Sequence, residues 1–438
     1  MIFIFCWNIN TIKCIKNENK SCIKVTNSIK LVTWIDMAIS IISKIIFNQF
    51  GAYKMKKSLV VVALAGAMAF TAASAETVLY GSIRLGADIG KNHFSNTSTT
   101  ANKRGISMED YGSRLGLRGS EDLGNGMKVL YQLEWGFDGM SGGQNGEGFE
   151  NRLAWVGITG EWGTVALGRQ NNPFTESLNA GTEADEFNGN MGSVSALRYA
   201  TGTVMTSGGS LGQNASEFRA MPTRVGKSIA YVSPSFSGFN FVIAGIADAP
   251  DANGGNRSDN NASKGFDIWT VGLNYEHESG FYAKAAYLGA NLNKGYKTAN
   301  VYGLNVGFAN EQFGVNADFG AGNRGAKANG YDAGNNPSFG EKVTSTGWDL
   351  GGHFSFGPDY FSTVRATVGQ AEIKYKNNGT SKDKMTVWAL GFEQRLSTRT
   401  KVWVEYAKEN RKVGKISGVT TGVKDNRDLV SIGIRHDF

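Results

Sequence analysis

The chain has 438 residues, and its composition changes abruptly near residue 75. Residues 1–54 hold 13 Ile, 7 Lys, 6 Asn and all three cysteines, whereas residues 76–438 hold no cysteine and carry 36 basic and 36 acidic side chains. In the later segment this composition excludes a disulfide framework and a thiolate metal site. The balanced charge removes the main support for a basic surface that binds nucleic acid.

A secretory signal lies where the composition changes. Residues 55–75 combine a positive start (Met-Lys-Lys), an apolar stretch (SLVVVALAGAMAFT) and a small-residue cleavage site (Ala-Ser-Ala). The apolar stretch is shorter than the about 20 residues that a membrane-spanning helix needs. We therefore expect cleavage between Ala75 and Glu76, so that the exported chain begins at Glu76.

Residues 1–54 stand upstream of this complete signal peptide. We interpret them as leader sequence that would be translated if the start codon were placed too early. The alternative is a genuine extension, disordered or with residues 31–47 in a membrane, although Asp36 and Lys44 interrupt that stretch. Neither interpretation gives the segment a part in the fold, so the domain prediction begins at residue 76.

The rest of the chain is rich in alternating sequence. It contains 56 Gly and 6 Pro, and no apolar run approaches the about 20 residues of a spanning helix. Around Leu304, the side chains of Tyr302, Leu304 and Val306 fall on one face, and Gly303 and Asn305 fall on the other. A period of two predicts β-strand, with an apolar face and a polar face.

Sixteen such strands are predicted along residues 76–438. They lie near 77–90, 108–119, 127–138, 150–159, 163–169, 224–233, 238–247, 266–277, 281–290, 300–309, 312–320, 346–356, 361–375, 385–396, 399–409 and 428–438. Short turns alternate with long polar loops, which are predicted near 91–107, 248–265, 321–345 and 410–427.

This pattern favours an all-β fold, a 16-stranded antiparallel transmembrane β-barrel with short periplasmic turns and long external loops. Every backbone group must be paired inside a bilayer, and only a closed sheet leaves no free edge. A soluble β-sandwich would also alternate, but its polar face would be rich in Lys and Glu and not in Gly, Ser and Asn.

Five motifs carry a family resemblance across residues 76–438. They are ETVLYGSI at 76–83, SRLGLRGSEDLGNG at 113–126, ALGRQ at 166–170, SIAYVSPSFSGF at 228–239 and GIRHDF at 433–438. Together they resemble the general diffusion porins of Gram-negative bacteria, of the neisserial and β-proteobacterial type. The resemblance implies an outer-membrane barrel, usually a homotrimer, whose third loop folds into the lumen and constricts it.

The segment 170–223 is the third long loop of the prediction. It holds more than fifty residues without a sustained alternating strand, and loops of that length are usually functional or disordered. Its acidic side chains are Glu183, Asp185 and Glu186. The stretch that begins at Asp185 resembles the family's Pro-Glu-Phe-Gly-Gly motif, with Asp in place of Pro. We expect these carboxylates on the acidic side of the pore constriction, although a solvated acidic loop is the alternative.

Basic side chains are expected to face those acids, because a transverse field orders ions in a narrow aqueous pore. Since Leu115 faces lipid, alternation turns Arg114 and Arg118 inward, and it turns Arg224 inward as well. By resemblance Arg114, Arg169 and Arg224 match the family's basic ladder. Strict alternation places Arg169 on the outer face unless a bend turns it inward.

The predicted function is passive diffusion of ions and small hydrophilic solutes through a water-filled channel. No cofactor motif is found, and the four histidines are too far apart in sequence to suggest a metal or catalytic site. An outer-membrane barrel enzyme and a barrel that acts mainly as a surface adhesin are the alternatives. The expected partners are outer-membrane lipid, further copies in a trimer and the barrel-assembly machinery, for which the terminal Phe438 resembles the recognition signal.

Overall fold

The structure is a computed structural model that describes residues 76–92, 104–141, 148–205, 218–247, 265–291, 297–325, 342–376, 380–412 and 424–438. The predicted signal peptide and the segment before it lie outside the described residues. Among the described residues, no helix is long and apolar enough to span a bilayer.

The strands of the described residues form a single antiparallel sheet. Its strands are β1 Glu76–Lys91, β2 Gly105–Asp110, β3 Arg114–Gly124, β4 Met127–Gly136, β5 Glu150–Gly160, β6 Gly163–Asn171, β7 Arg224–Val232, β8 Phe239–Ala247, β9 Phe266–Glu276, β10 Phe281–Ala290, β11 Ala299–Ala309, β12 Phe313–Arg324, β13 Lys342–Phe356, β14 Ser362–Lys376, β15 Thr380–Arg395, β16 Thr400–Lys412 and β17 Lys424–Asp437. β1 pairs with β17 on one edge and with β2 and β3 on the other, so the sheet closes into a barrel.

The predicted second strand is broken into β2 and β3, which occupy one barrel position and make sixteen strands in all. The cause is a tight turn that alternation alone does not reveal. The Asp110 carboxylate accepts hydrogen bonds from the backbone N–H groups of Gly112 and Ser113, both at 2.7 Å. Gly112 has φ of +89°, which favours glycine. Pairing with β1 resumes on each side of this turn.

The predicted alternation corresponds to an outer and an inner face of the barrel. Tyr302 and Leu304 are 49% and 47% exposed, whereas Asn305 between the same neighbouring strands is fully buried. Apolar side chains exposed all round a closed barrel suit a hydrocarbon solvent and do not suit water. The alternating faces of the sequence are therefore the lipid face and the lumen face.

Two predicted loops are shorter than expected. β12 continues to Arg324 and β13 begins at Lys342, and the last pair of strands reaches Lys412 and Lys424. Lys424, predicted in an external loop, is thus the first residue of β17. These strand ends are polar, because they extend beyond the apolar band and need no lipid-facing alternation.

The third loop connects Asn171 to Arg224, and its described residues, 172–205 and 218–223, lie along the inside of the barrel. They form two helices, α1 Pro173–Asn179 and α2 Ala196–Met205. Both helices pack against the lumen side of the wall. Their buried apolar residues form one cluster with wall residues that include Leu288, Val301, Val343, Ile373 and Met385. This core lies within the barrel because the outer face is committed to lipid.

The last residue is tied into the sheet where β1 and β17 meet. The backbone N–H of Phe438 donates to the carbonyl of Gly81 at 3.1 Å, and the N–H of Gly81 donates back at 3.0 Å. The Phe438 ring lies so close to Gly81 that a Cβ there would approach Cζ of the ring to 2.3 Å. The ring of Phe438 therefore packs over the junction at which β1 and β17 close the barrel.

Deletion of Phe438 is expected to reduce the yield of inserted, heat-modifiable barrel, because it removes two seam hydrogen bonds and the ring that covers Gly81. The measurement is the fraction of folded protein on unheated gels of outer membranes. Phe438→Tyr keeps the ring and is the control. Unchanged insertion after the deletion would show that Phe438 is not needed for assembly and is only an aromatic residue at the membrane surface.

Candidate functional site

The third loop is held in the lumen by a row of polar side chains from the wall. Seven adjacent strands, β10 to β16, each supply at least one residue that contacts it. These are Lys284, Asn305, Asn316, Asp349, Arg365, Glu393 and Glu405. Asn305 donates to the carbonyl of Leu178 at 2.6 Å, and Glu405 accepts from the N–H groups of Asn188 and Gly189 at 2.8 and 2.7 Å.

Asp349 fixes the start of α2. Its carboxylate accepts hydrogen bonds from the backbone N–H groups of Ala196 and Leu197 at 2.8 and 2.9 Å and from the hydroxyl of Ser195 at 2.8 Å. A carboxylate at a helix N-terminus satisfies free donors and complements the helix dipole. Here the wall strand β13 provides that cap, so the helix and the barrel wall form one unit.

Inward-facing glycines provide the surface on which the loop lies. A Cβ at Gly303 would stand 2.1 Å from Cδ1 of Leu178, and one at Gly347 would stand 2.7 Å from the carbonyl oxygen of Ala196. Such approaches exclude any larger side chain unless the loop moves. Gly303 and Gly347 are thus packing positions for α1 and α2, a role that alternation alone does not reveal.

The three predicted loop carboxylates fall into two environments. Glu183 is buried against the wall, where it contacts Nδ1 of His353 and Nη1 of Arg365, the latter at 3.3 Å. Asp185 and Glu186 are exposed, and their backbone N–H groups both donate to the carbonyl of Thr182. Asp185 and Glu186 therefore present charge to the lumen, whereas Glu183 is chiefly an anchor of the loop.

Arg114 and Arg118 both point inward, but the structure separates them. Nε of Arg114 lies 3.6 Å from the carboxylate of Glu134, which is also bound by Arg152 at 2.6 Å. Arg118 is stacked over the ring of Tyr80, with 5.2 Å from Cζ to the ring centroid. Four residues of strand correspond to about 13 Å, so Arg118 lies well towards the short turn that follows β3.

Arg169 and Arg224 lie near each other where the pairing of β6 with β7 is irregular. The register between β6 and β7 shifts between Gly168 and Gln170, and Gly168 has φ of +127°. A bulge of this kind re-aims side chains. The charge of Arg169 acts on Arg224, and its guanidinium lies 3.9 Å from the site of a Cβ on Gly226. The extra residue of the bulge lies in β7, and Arg169 remains in register with Ala154 of β5. The inward orientation of Arg169 stays a prediction.

Basic residues other than the predicted ones act on the loop acids. The charge of Arg84 acts on Asp185, and that of Lys401 acts on Glu186. Arg84 also interacts with Arg435. Alternation within β1, β16 and β17 assigns all three basic residues to the inner face. Alternation alone could not single out these three among the inward charges. They become neighbours only when the barrel closes, because β1 and β17 are its first and last strands.

Asp185 gives the site a pH response. Desolvation by the surrounding barrel is the first cause that raises the pKa of Asp185 to about 6, and the charge of Glu186 is the second. The side chain is still exposed to the lumen. Because this pKa lies below neutral pH, the carboxylate is ionised at neutral pH. Because it lies above the ordinary range for aspartate, the carboxylate loses its charge as the pH falls through 6. The acidic side of the lumen is then weakened.

Acidification from about pH 7.5 to about pH 5 is therefore expected to move the zero-current potential in a salt gradient towards anions. Asp185→Asn should remove most of this shift by eliminating the titrating charge. The measurement is the reversal potential of wild type and variant at both pH values. An equal shift in the variant would assign the titration to another group.

Three histidines lie in the described part of the chain, and they are far apart. His353 contacts Glu183, His277 contacts Ser279 at 2.8 Å within a turn, and His436 contacts Thr400 at 2.9 Å. Within the same described ranges, no group of three or more His, Cys, Asp or Glu side chains could hold a metal ion.

Comparison with known proteins relates this geometry to a family. A family model described as Gram-negative porin matches residues 59–414. The chain is 31% identical over 246 residues to the major outer membrane protein P.IB of Neisseria gonorrhoeae, and 30% identical over 244 residues to that of Neisseria lactamica. Each match covers 56% of this chain, and the chain spans about three fifths of these relatives, 60% and 61%.

Solved structures show the same fold. The chain matches an anion-selective porin from Comamonas acidovorans with a TM-score of 0.59 and 20% identity, covering 83% of this chain and 100% of the other. It matches the trimer form of OmpT from Vibrio cholerae with a TM-score of 0.56 and 13% identity, covering 84% and 100%. At these identities the likeness concerns the barrel itself.

Proposed function

Because the chain belongs to the Gram-negative porin family, we propose that it forms a water-filled channel for the passive diffusion of ions and small hydrophilic solutes. The family and the closed barrel put it in the outer membrane of a Gram-negative bacterium. The observation that carries the proposal is the third loop, which lies inside the barrel and presents Asp185 and Glu186 to a lumen lined by basic side chains.

Permeation in this proposal is governed by the width of the lumen and by its field. The loop narrows the passage, and its carboxylates face basic side chains of the wall such as Arg84 and Lys401. Two unit charges about 7 Å apart at an effective dielectric constant of about 20 interact by about 2 kcal/mol. Charges more than about 8 Å from a permeating ion are screened at physiological salt. Only charges that line the narrow section should therefore act strongly on it.

The predicted site residues take different parts in this proposal. Asp185 and Glu186 act on the permeating ion directly, as does Arg114 from the opposite side. Glu183 acts by fixing the loop. Arg169 and Arg224 add positive charge to the wall, and Arg118, stacked on Tyr80, lies in the vestibule that leads to the short-turn end.

Assembly and export complete the proposal. We expect three copies to associate, as in the trimer form of OmpT to which the fold is similar. Insertion would use the barrel-assembly machinery, with Phe438 as its signal, after removal of residues 55–75. No covalent chemistry is expected, and long loops that bind surface partners are compatible with a channel.

The test is the conductance of the purified protein in a planar lipid bilayer. Stepwise current increases with an ohmic response to small voltages are expected on insertion. A barrel that inserts, as judged by heat modifiability, but carries no current would overturn the proposal. Hydrolysis of lipid or peptide by the inserted barrel would favour the enzyme instead.

A further inference from the structure

The outer face of five adjacent strands carries a group of lysines at the long-loop end. Alternation from exposed apolar residues such as Val368, Leu390 and Val404 places these lysines on the lipid side of the wall. Each of them is exposed or half-buried. They are Lys342 of β13, Lys374 of β14, Lys382 and Lys384 of β15, Lys408 and Lys412 of β16, and Lys424 of β17. These seven residues are called the lysine belt below.

Lysines of the belt stand directly opposite each other in the sheet. Lys384 is paired in register with Lys412, and Lys412 with Lys424, so three lysines form one row across β15, β16 and β17. Lys374 is paired in register with Lys382 in the same way. Like charges directly opposite each other on a sheet are destabilising. The lysine row therefore lowers the stability of the barrel unless an anion lies beside it.

The carboxylates that share this face of the strand ends are already paired. Glu372 contacts Lys382 at 2.6 Å and Lys374 at 3.3 Å. Asp428 is bound by Arg104 at 2.8 Å. In the part of the chain that the structure describes, no carboxylate forms a salt bridge with a lysine of the row. The positive charge of the row is thus not neutralised by the barrel.

The belt lies at the depth of the lipid head groups. The rings of Trp388 and Tyr406 contact each other on the same outer face, with their centroids 5.2 Å apart. Trp and Tyr side chains are enriched where the lipid tails meet the head groups. Lys384 is four residues beyond Trp388 along β15, which is about 13 Å towards the long-loop end. The lysine row is therefore beside the outer leaflet of the bilayer.

We propose that the lysine belt binds phosphate groups of lipids in the outer leaflet of the outer membrane. Neighbouring strands are about 4.8 Å apart, so a head group with two phosphates can meet more than one ammonium group of the row. Lysine binds phosphate as a point charge, and clusters of basic residues beside a membrane bind anionic head groups. The occupant is therefore a lipid that carries two or more phosphates.

A lipid fits this surface better than a soluble anion or a second copy of the chain. The belt continues directly into the exposed apolar side chains of the same strands, among them Val368, Leu390 and Val404. The acyl chains of the bound lipid would cover those side chains while its phosphates meet the lysines. A soluble anion would leave the apolar surface uncovered. Binding on this face is independent of what passes through the lumen.

The test is calorimetric titration of the purified barrel in uncharged detergent with diphosphoryl lipid A, monophosphoryl lipid A and pyrophosphate. The wild type is expected to bind the diphosphoryl lipid most tightly. In the triple variant Lys384→Gln, Lys412→Gln, Lys424→Gln, affinity for this lipid should fall about 100-fold, since each basic residue near a membrane surface contributes about a factor of five. Without lipid, the triple variant should unfold at the same temperature as the wild type or a higher one, because the repulsion within the row is removed.

The matched control is the triple variant Lys128→Gln, Arg395→Gln, Arg399→Gln. It makes the same change in net charge at the short-turn end of the barrel, where the exposed or half-buried side chains lie on the other side of the bilayer. Its affinity for diphosphoryl lipid A should equal that of the wild type.

Four outcomes would overturn the proposal. They are unchanged affinity in the variant of the lysine row, an equal fall in the control, pyrophosphate binding as tight as that of the diphosphoryl lipid, and lost association of copies with lipid affinity intact. The third outcome would indicate a site for soluble anions, and the fourth would assign the face to a second copy. If the triple variant gives no heat-modifiable barrel, Lys412→Gln decides alone, with an expected fall of about fivefold.

Discussion

Replacement of Arg365 by methionine is expected to release part of the third loop from the barrel wall. Arg365 is 7% exposed and contacts Glu183 at 3.3 Å and Glu393 at 3.8 Å. Both carboxylates are buried, so the variant leaves two charges without their shared partner. Removal of one member of a buried ion pair costs about 3–5 kcal/mol. We expect larger and less steady single-channel currents and faster proteolysis within the loop.

Arg395→Met is the matched control for this prediction. Arg395 contacts the same carboxylate, Glu393, at 3.9 Å, but its side chain is 55% exposed. Exposed ion pairs contribute about 0–1 kcal/mol, so currents close to wild type are expected. The double variant Arg365→Met with Glu183→Gln should recover part of the loop's protection. Equal effects of Arg365→Met and Arg395→Met would contradict the role of the buried anchor.

Reversal of a charge at the narrow section is expected to shift the ion selectivity of the channel, in opposite directions for a basic and an acidic residue. Arg114→Glu should shift the zero-current potential towards cations, because a repelling charge for cations becomes an attracting one. Glu186→Arg should shift it towards anions for the opposite reason. The measurement is the reversal potential across a tenfold KCl gradient, where the maximum possible potential for one ion is about 59 mV. Each variant is expected to move the potential by a substantial part of that range.

Lys424→Glu is the control for charge alone. It makes the same change in net charge as Arg114→Glu, at an exposed residue that begins β17 at the long-loop end. Arg114→Glu also sets a carboxylate beside Glu134, so Arg114→Gln serves as a second variant if the barrel folds poorly. A potential moved as far by Lys424→Glu would assign selectivity to the outer vestibule.

The barrel could be predicted from the sequence to within a few residues at most strand ends. The physical reason is that alternate residues of each strand face lipid and water, so apolar and polar side chains alternate along its length. Strands such as β10 Phe281–Ala290 and β5 Glu150–Gly160 match the predicted bounds closely. The break between β2 and β3 was missed, because it depends on a local turn at Asp110 and not on alternation.

The candidate site could be predicted only in part. Alternation assigns Arg114 to the lumen, and the length of the third loop marks it as functional, because both are local properties of the chain. The tertiary structure alone decided that Glu183 is buried against Arg365 while Asp185 remains exposed. Burial of a loop side chain depends on which wall residues it meets.

The group of Arg84, Lys401 and Arg435 is the clearest case. Each side chain is inward by alternation, yet the three become neighbours only once the first and last strands, β1 and β17, pair. The same holds for the nearness of Arg169 to Arg224, which depends on the pairing of β6 with β7. The sequence by itself determined the faces of the strands, since these follow from local contact with lipid or water. Closure of the sheet and the seating of the loop decided which charges meet, since contacts between distant segments follow from the packed barrel.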